Sequence, residues 1–526
     1  MSRTDVTNKK SWAETWLLAR DPAVIRMLFL GFSAGIPILL IFSSLSLWLG
    51  EAGLRKSSIT FFSWAALGYS FKFVWAPLVD KLPIPFLKKL LGQRRSWLLL
   101  AQIAIVIAIV WMGLTDPAKS TEQLSMMAFA AVLLGFSSAT QDIVIDAYRI
   151  ESSKIIDLQA LMSSAYIIGY RIGMIIAGAG ALYLAAYFGT SKADYHYEAW
   201  KLTYFVMAST MLIGIITTLV VSEPDRGVQP VHSTTDYLRF VLMFIAAVAA
   251  FIAVFFFSAD LIRGIKTVVK ILGINTPLMG LLIETARLLF AIISAAMIAR
   301  LMISLHLVNK VMVDEAYISP VRDFFIRYGK SIAILLLLLV GLYRISDIVL
   351  GAISNVFYQD LGFLKTEIAK GVKIWGVIAA IIGGLFGGAL SIRYGVIKIL
   401  FVGALISAAT NLLFLWLANS GHNLPIFYIV ISADNFAAGF AGAAFIAFLA
   451  GLTNISFTAM QYAIFSSLMT LIPKTLGGYS GSIVESVGYP KFFLLTTLMG
   501  VPVLILILIA QRYLNIRHGG KAVNTK

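Results

Sequence analysis

Of 526 residues, 59% are hydrophobic and only 13% are charged, against roughly 25% charged in soluble proteins, so the composition predicts a polytopic membrane protein rather than a soluble domain. The net charge of +16 is spread over short segments between apolar runs, which argues against a nucleic-acid partner and for a lipid bilayer. Cysteine is absent, which excludes disulfides and thiolate metal sites.

In chain order, residues 1–22 form a polar tail lacking the short apolar core and cleavage site of a signal peptide, so the first membrane helix is expected to stay attached. At about 20 apolar residues per span, six helices are predicted within residues 23–222: Ala23 to Leu49, Ile59 to Val79, Trp97 to Leu114, Leu124 to Asp146, Leu158 to Tyr187 and Leu202 to Val221. After the second, DKLPIPFLKKLLGQRRSW (Asp80 to Trp97) sets an acid at a helix end before a basic cluster. That pattern suits a cytoplasmic latch between bundles, with Asp80, Lys81, Arg94 and Arg95 as candidates, although positive-inside bias would place the same cations there without one.

Residues 223–330 change the pattern. EPDRGVQPVHSTTD leads into two further spans, Leu238 to Phe257 and Thr276 to Ile303. They are joined by a segment with Arg263, Lys266 and Lys270 on one helical face, as in an interfacial amphipathic helix. Glu284 and Arg287 are three apart, a spacing that permits pairing, and a polar segment runs from His306 to Lys330. Six more spans fill residues 331–511: Ser331 to Val356, Ile368 to Ile392, Ile397 to Leu417, Ile426 to Ala450, Phe457 to Ile483 and Phe492 to Ala510, with 512–526 as a tail.

The expected fold is thus all-α, with about 14 transmembrane helices arranged as six, two and six. Lysine and arginine favour the segments that are cytoplasmic if the amino terminus is, which puts both termini in the cytoplasm. Two six-helix bundles of the same topology, with two inserted central helices, match the plan of the major facilitator fold. Gly31 and Gly35, Gly169 and Gly173, Gly178 and Gly180, Gly383 and Gly387, and Gly439 and Gly442 are expected where helices pack closely. Pro37 can kink the first helix.

Within the fourth span, GFSSATQDIVIDAYR (Gly135 to Arg149) places Gly135, Ser138, Asp142, Asp146 and Arg149 on one helical stripe. An aspartate at a membrane helix centre costs roughly 2.5 to 3.5 kcal/mol on insertion scales, so a partner or a task is expected. Ser33, Asp142, Arg344, Asp347, Asp434 and Asn435 fall on the first, fourth, seventh and tenth helices of the twelve-helix plan, those that line a major facilitator cavity. Lys72, Gln141, Tyr170, Arg171 and Gln461 lie on the same or neighbouring helices. Arg171 cannot shed its charge, so Asp142 or Asp146 is its expected partner, whereas Arg344 and Asp347 can pair within one helix. Asp142, Asp146, Asp347 and Asp434 are the candidate proton carriers, since a carboxylate alternating between dry and paired surroundings can take up and release a proton. Lys72, Gln141, Tyr170, Arg171, Arg344, Asn435, Gln461 and Ser33 are the candidate substrate contacts.

GFSAGIP (Gly31 to Pro37), FKFVWAPLVDK (Phe71 to Lys81), SATQDIVIDAYR (Ser138 to Arg149), GYRIGM (Gly169 to Met174), SPVRDFFIR (Ser319 to Arg327) and the run from Asp434 through FTAMQYAIFSSL (Phe457 to Leu468) form an ordered set across nearly the whole chain. In these motifs the chain resembles the AmpG-like muropeptide permeases, a branch of the major facilitator superfamily. The resemblance implies proton-driven import of anhydromuropeptides across the inner membrane of a Gram-negative bacterium, by a monomer without cofactor or metal. Lys81, Arg344 and Asp434 depart from that pattern, which has arginine, lysine and glutamate at such places; the charges survive and the reach differs. A transporter of another large anionic solute, such as a coenzyme A thioester, is the alternative. Five scattered histidines and no cysteine give little basis for an enzyme, and no GxxxxGK(S/T) loop is present for ATP-driven transport.

Overall fold

The computed structural model describes residues 20–54, 69, 71–153, 155–191, 194–224, 232–271, 277–363, 365–477 and 480–520. Every secondary-structure element among them is helical, and 13 helices among them are long and apolar enough to cross a membrane. Most of the predicted second span, Ile59 to Val79, lies outside the described residues, as does most of the tail over residues 1–22.

The chain divides into two compact units. The first comprises residues 1–79, 83–226 and 328–526, and the second 80–82 and 227–327. Helices α1 (Pro22–Leu39), α2 (Ala76–Lys81), α3 (Gln93–Gly113), α4 (Thr121–Glu151), α5 (Ile156–Ile175) and α6 (Tyr197–Thr210) build the first bundle. The central connection holds α7 (Thr234–Phe257), α8 (Ala259–Ile271), α9 (Pro277–Ser304) and α10 (Ser319–Tyr328). The second bundle holds α11 (Lys330–Leu342), α12 (Ile345–Asp360), α13 (Gly376–Tyr394), α14 (Val396–Ser420), α15 (Leu424–Leu452), α16 (Thr458–Gly477) and α17 (Tyr489–Gly520).

Polar caps fix where several of these helices start. Asp21 accepts from the Ala23 amide at 2.8 Å, Ser120 from Gln123 at 3.2 Å and Asn423 from Ile426 at 3.2 Å. The predicted sixth span is interrupted at Met211, between α6 and the helix Leu212–Val220. The predicted span Ser331 to Val356 is interrupted at Tyr343 and Arg344, between α11 and α12. The polar segment His306 to Lys330 is largely helical, its charges satisfied by near neighbours such as Asp323, which accepts from Arg327 at 2.8 Å.

Glycine sets the closest helix contacts. A Cβ on Gly31 or Gly35 of α1 would overlap the Tyr166 or Tyr170 backbone of α5, and one on Gly169 or Gly173 would overlap Leu28 or Phe32 in return. In the second bundle, Gly383 and Gly387 of α13 meet Phe436 and Phe440 of α15, and Gly439 meets Ala380. The bundles themselves meet through Gly384 of α13 against Ile167 of α5, and Gly388 against Ser164.

Within the second unit, α7 packs on α9. Arg287 donates to the Phe255 carbonyl and to Ser258 Oγ, each at 3.2 Å from Nε, and stacks 4.0 Å from the Phe255 ring centroid. The side chain of Glu284, its expected partner, lies outside the described residues. The amphipathic joint is the separate helix α8.

Candidate functional site

Two charge clusters lie at membrane depth in the first unit. In the first bundle, Lys72 is buried in a short 3₁₀ turn, Lys72–Val74. Its Nζ lies 3.5 Å from Asp146 Oδ2, and Arg149 Nη2 lies 3.4 Å from Asp146 Oδ1. Arg149 also donates to Ser163 at 2.6 Å and lies 5.2 Å from the Tyr462 ring centroid of α16. Burying these ions in low dielectric is tolerable only because each meets a partner.

Asp142, one turn before Asp146, has Tyr166 as a hydrogen-bonding neighbour and both Lys72 and Asp146 within electrostatic range. Among the described residues its Oδ1 has no hydrogen-bond partner, and neither do the two amide atoms of fully buried Gln141. Tyr69 donates to Ser138 at 2.5 Å, on the same stripe of α4.

The expected pairing of Arg171 with Asp142 or Asp146 does not form. Asp146 is taken by Lys72 and Arg149, and Arg171 makes no ion pair among the described residues. The charged side chain in electrostatic range of Arg171 is Arg344 of the other bundle, with Tyr170 beside it. Helical periodicity assigned the right faces but could not say which turn of α5 meets which turn of α4.

Arg344 sits at the break between α11 and α12 and forms the expected pair with Asp347, with Nη2 at 2.6 Å and Nε at 3.1 Å. Asp434 of α15 lies within range of both. Lys474 of α16, not singled out from the sequence, is also within range of Arg344. It lines a cavity of about 670 Å³ together with Ile348, Gly351, Ile353, Gly477, Ser480 and Gly481. Among the described residues, Arg344 has Asp347 and Asp434 in range, while Arg171 and Lys474 each have Arg344 as the charged neighbour.

Three candidate substrate contacts are engaged in packing. Ser33 is fully buried, donates to Leu30 at 2.8 Å and abuts Gly214. Asn435 donates to Ile431 at 3.0 Å and covers Gly376. Gln461 accepts from the Asn454 amide at 2.7 Å and so closes the turn before α16. Tyr170 lies between Asp142 and Arg171, in range of both.

The expected latch is rearranged. Fully buried Arg94 grips Glu151 at the end of α4 through Nε at 2.9 Å and Nη2 at 2.6 Å, and Thr458 of the second bundle donates to the same carboxylate at 2.6 Å. Arg95 stays within the first bundle, donating to the Thr218 and Leu219 carbonyls at 3.0 and 2.6 Å. Glu223 accepts the Arg94 and Arg95 amides at 2.7 and 3.1 Å, an acid at the positive end of α3. Asp80 is buried. Lys81 pairs with Glu315 of the central connection at 3.4 Å rather than between the bundles. Glu151 and Thr458 had one legible signal, an acid ending the Asp142 and Arg149 helix opposite a basic loop.

Residues 24–236 match the family model described as acetyl-coenzyme A transporter 1. Over 497 residues the chain is 30% identical to transporter AmpG 4 of Rickettsia felis, covering 94% of this chain and 98% of that one. It is 28% identical to the anhydromuropeptide permease of Escherichia coli strain K12, covering 94% and 81%. A crystal structure of a major facilitator proton:xylose symporter bound to a glucose analogue superposes with a TM-score of 0.56 at 13% identity, covering 94% and 96%, and so supports the fold alone. Similarity at 30% identity over nearly the whole length shows that the chain belongs to the AmpG family of transporters, with the major facilitator fold.

Proposed function

We propose that this protein is a proton-driven secondary transporter that imports anhydromuropeptides, GlcNAc-anhydroMurNAc peptides, from periplasm to cytoplasm for cell-wall recycling. It would lie in the bacterial inner membrane as a monomer with both termini cytoplasmic. The observation that carries the reading is the approach of Arg171 to Arg344, one from each bundle. Two like charges from separate bundles at one junction favour an anion between them, and guanidinium grips carboxylate bidentately. A stem carboxylate held there draws the bundles together.

Proton coupling falls to the first-bundle cluster. Asp142 and Asp146 stand one turn apart beside Lys72, and Arg149 also reaches Asp146, so a proton on Asp142 relieves the repulsion between the carboxylates and leaves both cations to Asp146. With the termini cytoplasmic, the contacts of Glu151 with Thr458 and of Ser164 with Gly388 close the cytoplasmic end, which corresponds to the state that loads substrate from the periplasm. Uptake of labelled GlcNAc-anhydroMurNAc-tripeptide into sealed vesicles tests the reading. Accumulation that collapses with a protonophore is expected, and accumulation indifferent to the gradient overturns it.

The match of residues 24–236 to the acetyl-coenzyme A transporter family favours a second reading, transport of a coenzyme A thioester. Competition decides between them: excess acetyl-coenzyme A is expected to leave muropeptide uptake unchanged, and strong inhibition reverses the preference.

A further inference from the structure

We propose that the cavity between α12, α16 and the helix Ser480–Val487 is a subsite for the acidic peptide stem, with Lys474 as its carboxylate-binding residue; this rests on the muropeptide reading above. Three observations point there. The cavity, about 670 Å³, is of the size that takes a small-molecule moiety, usually about 300–1,000 Å³. Among the described residues its wall is apolar or small, with Ile348, Ile353, Gly351, Gly477 and Gly481, and carries one charge, Lys474, and one hydroxyl, Ser480. That hydroxyl is turned to the Val349 carbonyl at 2.8 Å, so Lys474 is the ionic group left to orient a ligand.

Lys474 has no ion pair among the described residues, and its charged neighbour is another cation, Arg344. Arg344 already holds Asp347 at 2.6 Å. An ammonium in a cavity beside a second cation gains most from a ligand carboxylate. The acidic stem carries such groups at several atoms along its length, so one can meet Arg344 and Arg171 while a later one reaches Lys474. The peptide-free disaccharide carries only the lactyl carboxylate beside its ring and none of the later carboxylates of the stem. Stem recognition is therefore assigned to the second bundle, and the wall marks how it can be blocked. Gly351 lines the cavity, and a Cβ there would meet no described neighbour within 4 Å, so a larger side chain can be added at its wall without disturbing the helices.

The test uses the full-length protein in proteoliposomes and compares binding of GlcNAc-anhydroMurNAc-tripeptide with that of peptide-free GlcNAc-anhydroMurNAc. Lys474→Met is expected to weaken tripeptide binding about tenfold or more, the loss for one charge-assisted hydrogen bond, and to leave the peptide-free ligand within about twofold of wild type. Lys474→Arg should restore most of the difference, and Gly351→Leu should reproduce the selective loss with the lysine in place. Equal weakening of both ligands, or none, in Lys474→Met and Gly351→Leu overturns the subsite. Failure of the wild-type protein to bind either ligand overturns instead the transport reading on which it rests.

Discussion

At the scale of single residues, charge and hydrogen-bond geometry make separable demands on Arg171 and Arg344. Lysine keeps the charge and loses the planar fork. Arg171→Lys and Arg344→Lys are therefore expected to raise the half-saturation concentration for uptake about tenfold while insertion and expression hold; unchanged affinity in both rules out a bidentate clamp. Asp142 makes a different demand. Asparagine copies the protonated acid in shape and cannot titrate, so Asp142→Asn should abolish uphill, gradient-driven accumulation while exchange down a substrate gradient persists. Full accumulation by that variant assigns coupling elsewhere, with Asp434 next in line. The stripe of Asp142, Asp146 and Arg149, and the Arg344 and Asp347 pair, were legible in the sequence because their relation is local to one helix. Lys72 as the partner of Asp146 was not, since it depends on how two distant segments dock. Lys474 passed unnoticed as a lone cation in an apolar run, its meaning supplied by Arg344 and a cavity that only the fold creates.

Between elements, the helix contacts fall into two kinds. The α1 and α5 glycines interlock backbone against backbone and leave no room for a side chain, so close packing at these positions was readable from their spacing although the partner helix was not. The contacts between bundles mix apolar packing, Gly384 against Ile167, with polar contacts at Ser164 and Thr458. Arg94 and Glu151 are both fully buried, and Glu151→Gln leaves that guanidinium without its carboxylate, a loss of roughly 3–5 kcal/mol. Thr458→Val removes the hydrogen bond between the bundles together with the local one to the Ile455 carbonyl, about 1 kcal/mol. Thermal unfolding in detergent should separate them, with a drop of several degrees for Glu151→Gln and little change for Thr458→Val, while Thr458→Val alone shifts the bundles toward opening. Equal melting temperatures for Glu151→Gln and wild type would remove the latch from the account. The sequence named Lys81 and Arg95 as latch candidates without partners; Lys81 pairs with Glu315 and Arg95 stays on the Thr218 and Leu219 carbonyls, and composition could not tell this from a latch because positive-inside bias predicts the same cations.

For the whole molecule, a carrier that exposes its site to one side at a time must break the contacts that now join its halves. The chain has no cysteine, so a cross-link can be introduced at a chosen pair of positions without removing anything. Ser164 of α5 and Gly388 of α13 belong to different bundles, and a Cβ at 388 would lie 2.8 Å from Ser164 Cβ. A disulfide spans about 3.5–4.5 Å between Cβ atoms, so the bond forms once the helices part by roughly 1 Å, far less than opening requires. The double variant Ser164→Cys, Gly388→Cys should therefore oxidise readily in the resting protein and fasten the closed end. Substrate should still bind from the open side, because the Arg171 and Arg344 junction is untouched, but it should not be delivered. Uptake into vesicles is expected to fall to background on oxidation and to return with a reducing agent, while each single variant transports throughout. Transport by the oxidised, cross-linked protein at the wild-type rate would mean that these two helices never separate, and that the cytoplasmic exit lies somewhere other than between the bundles.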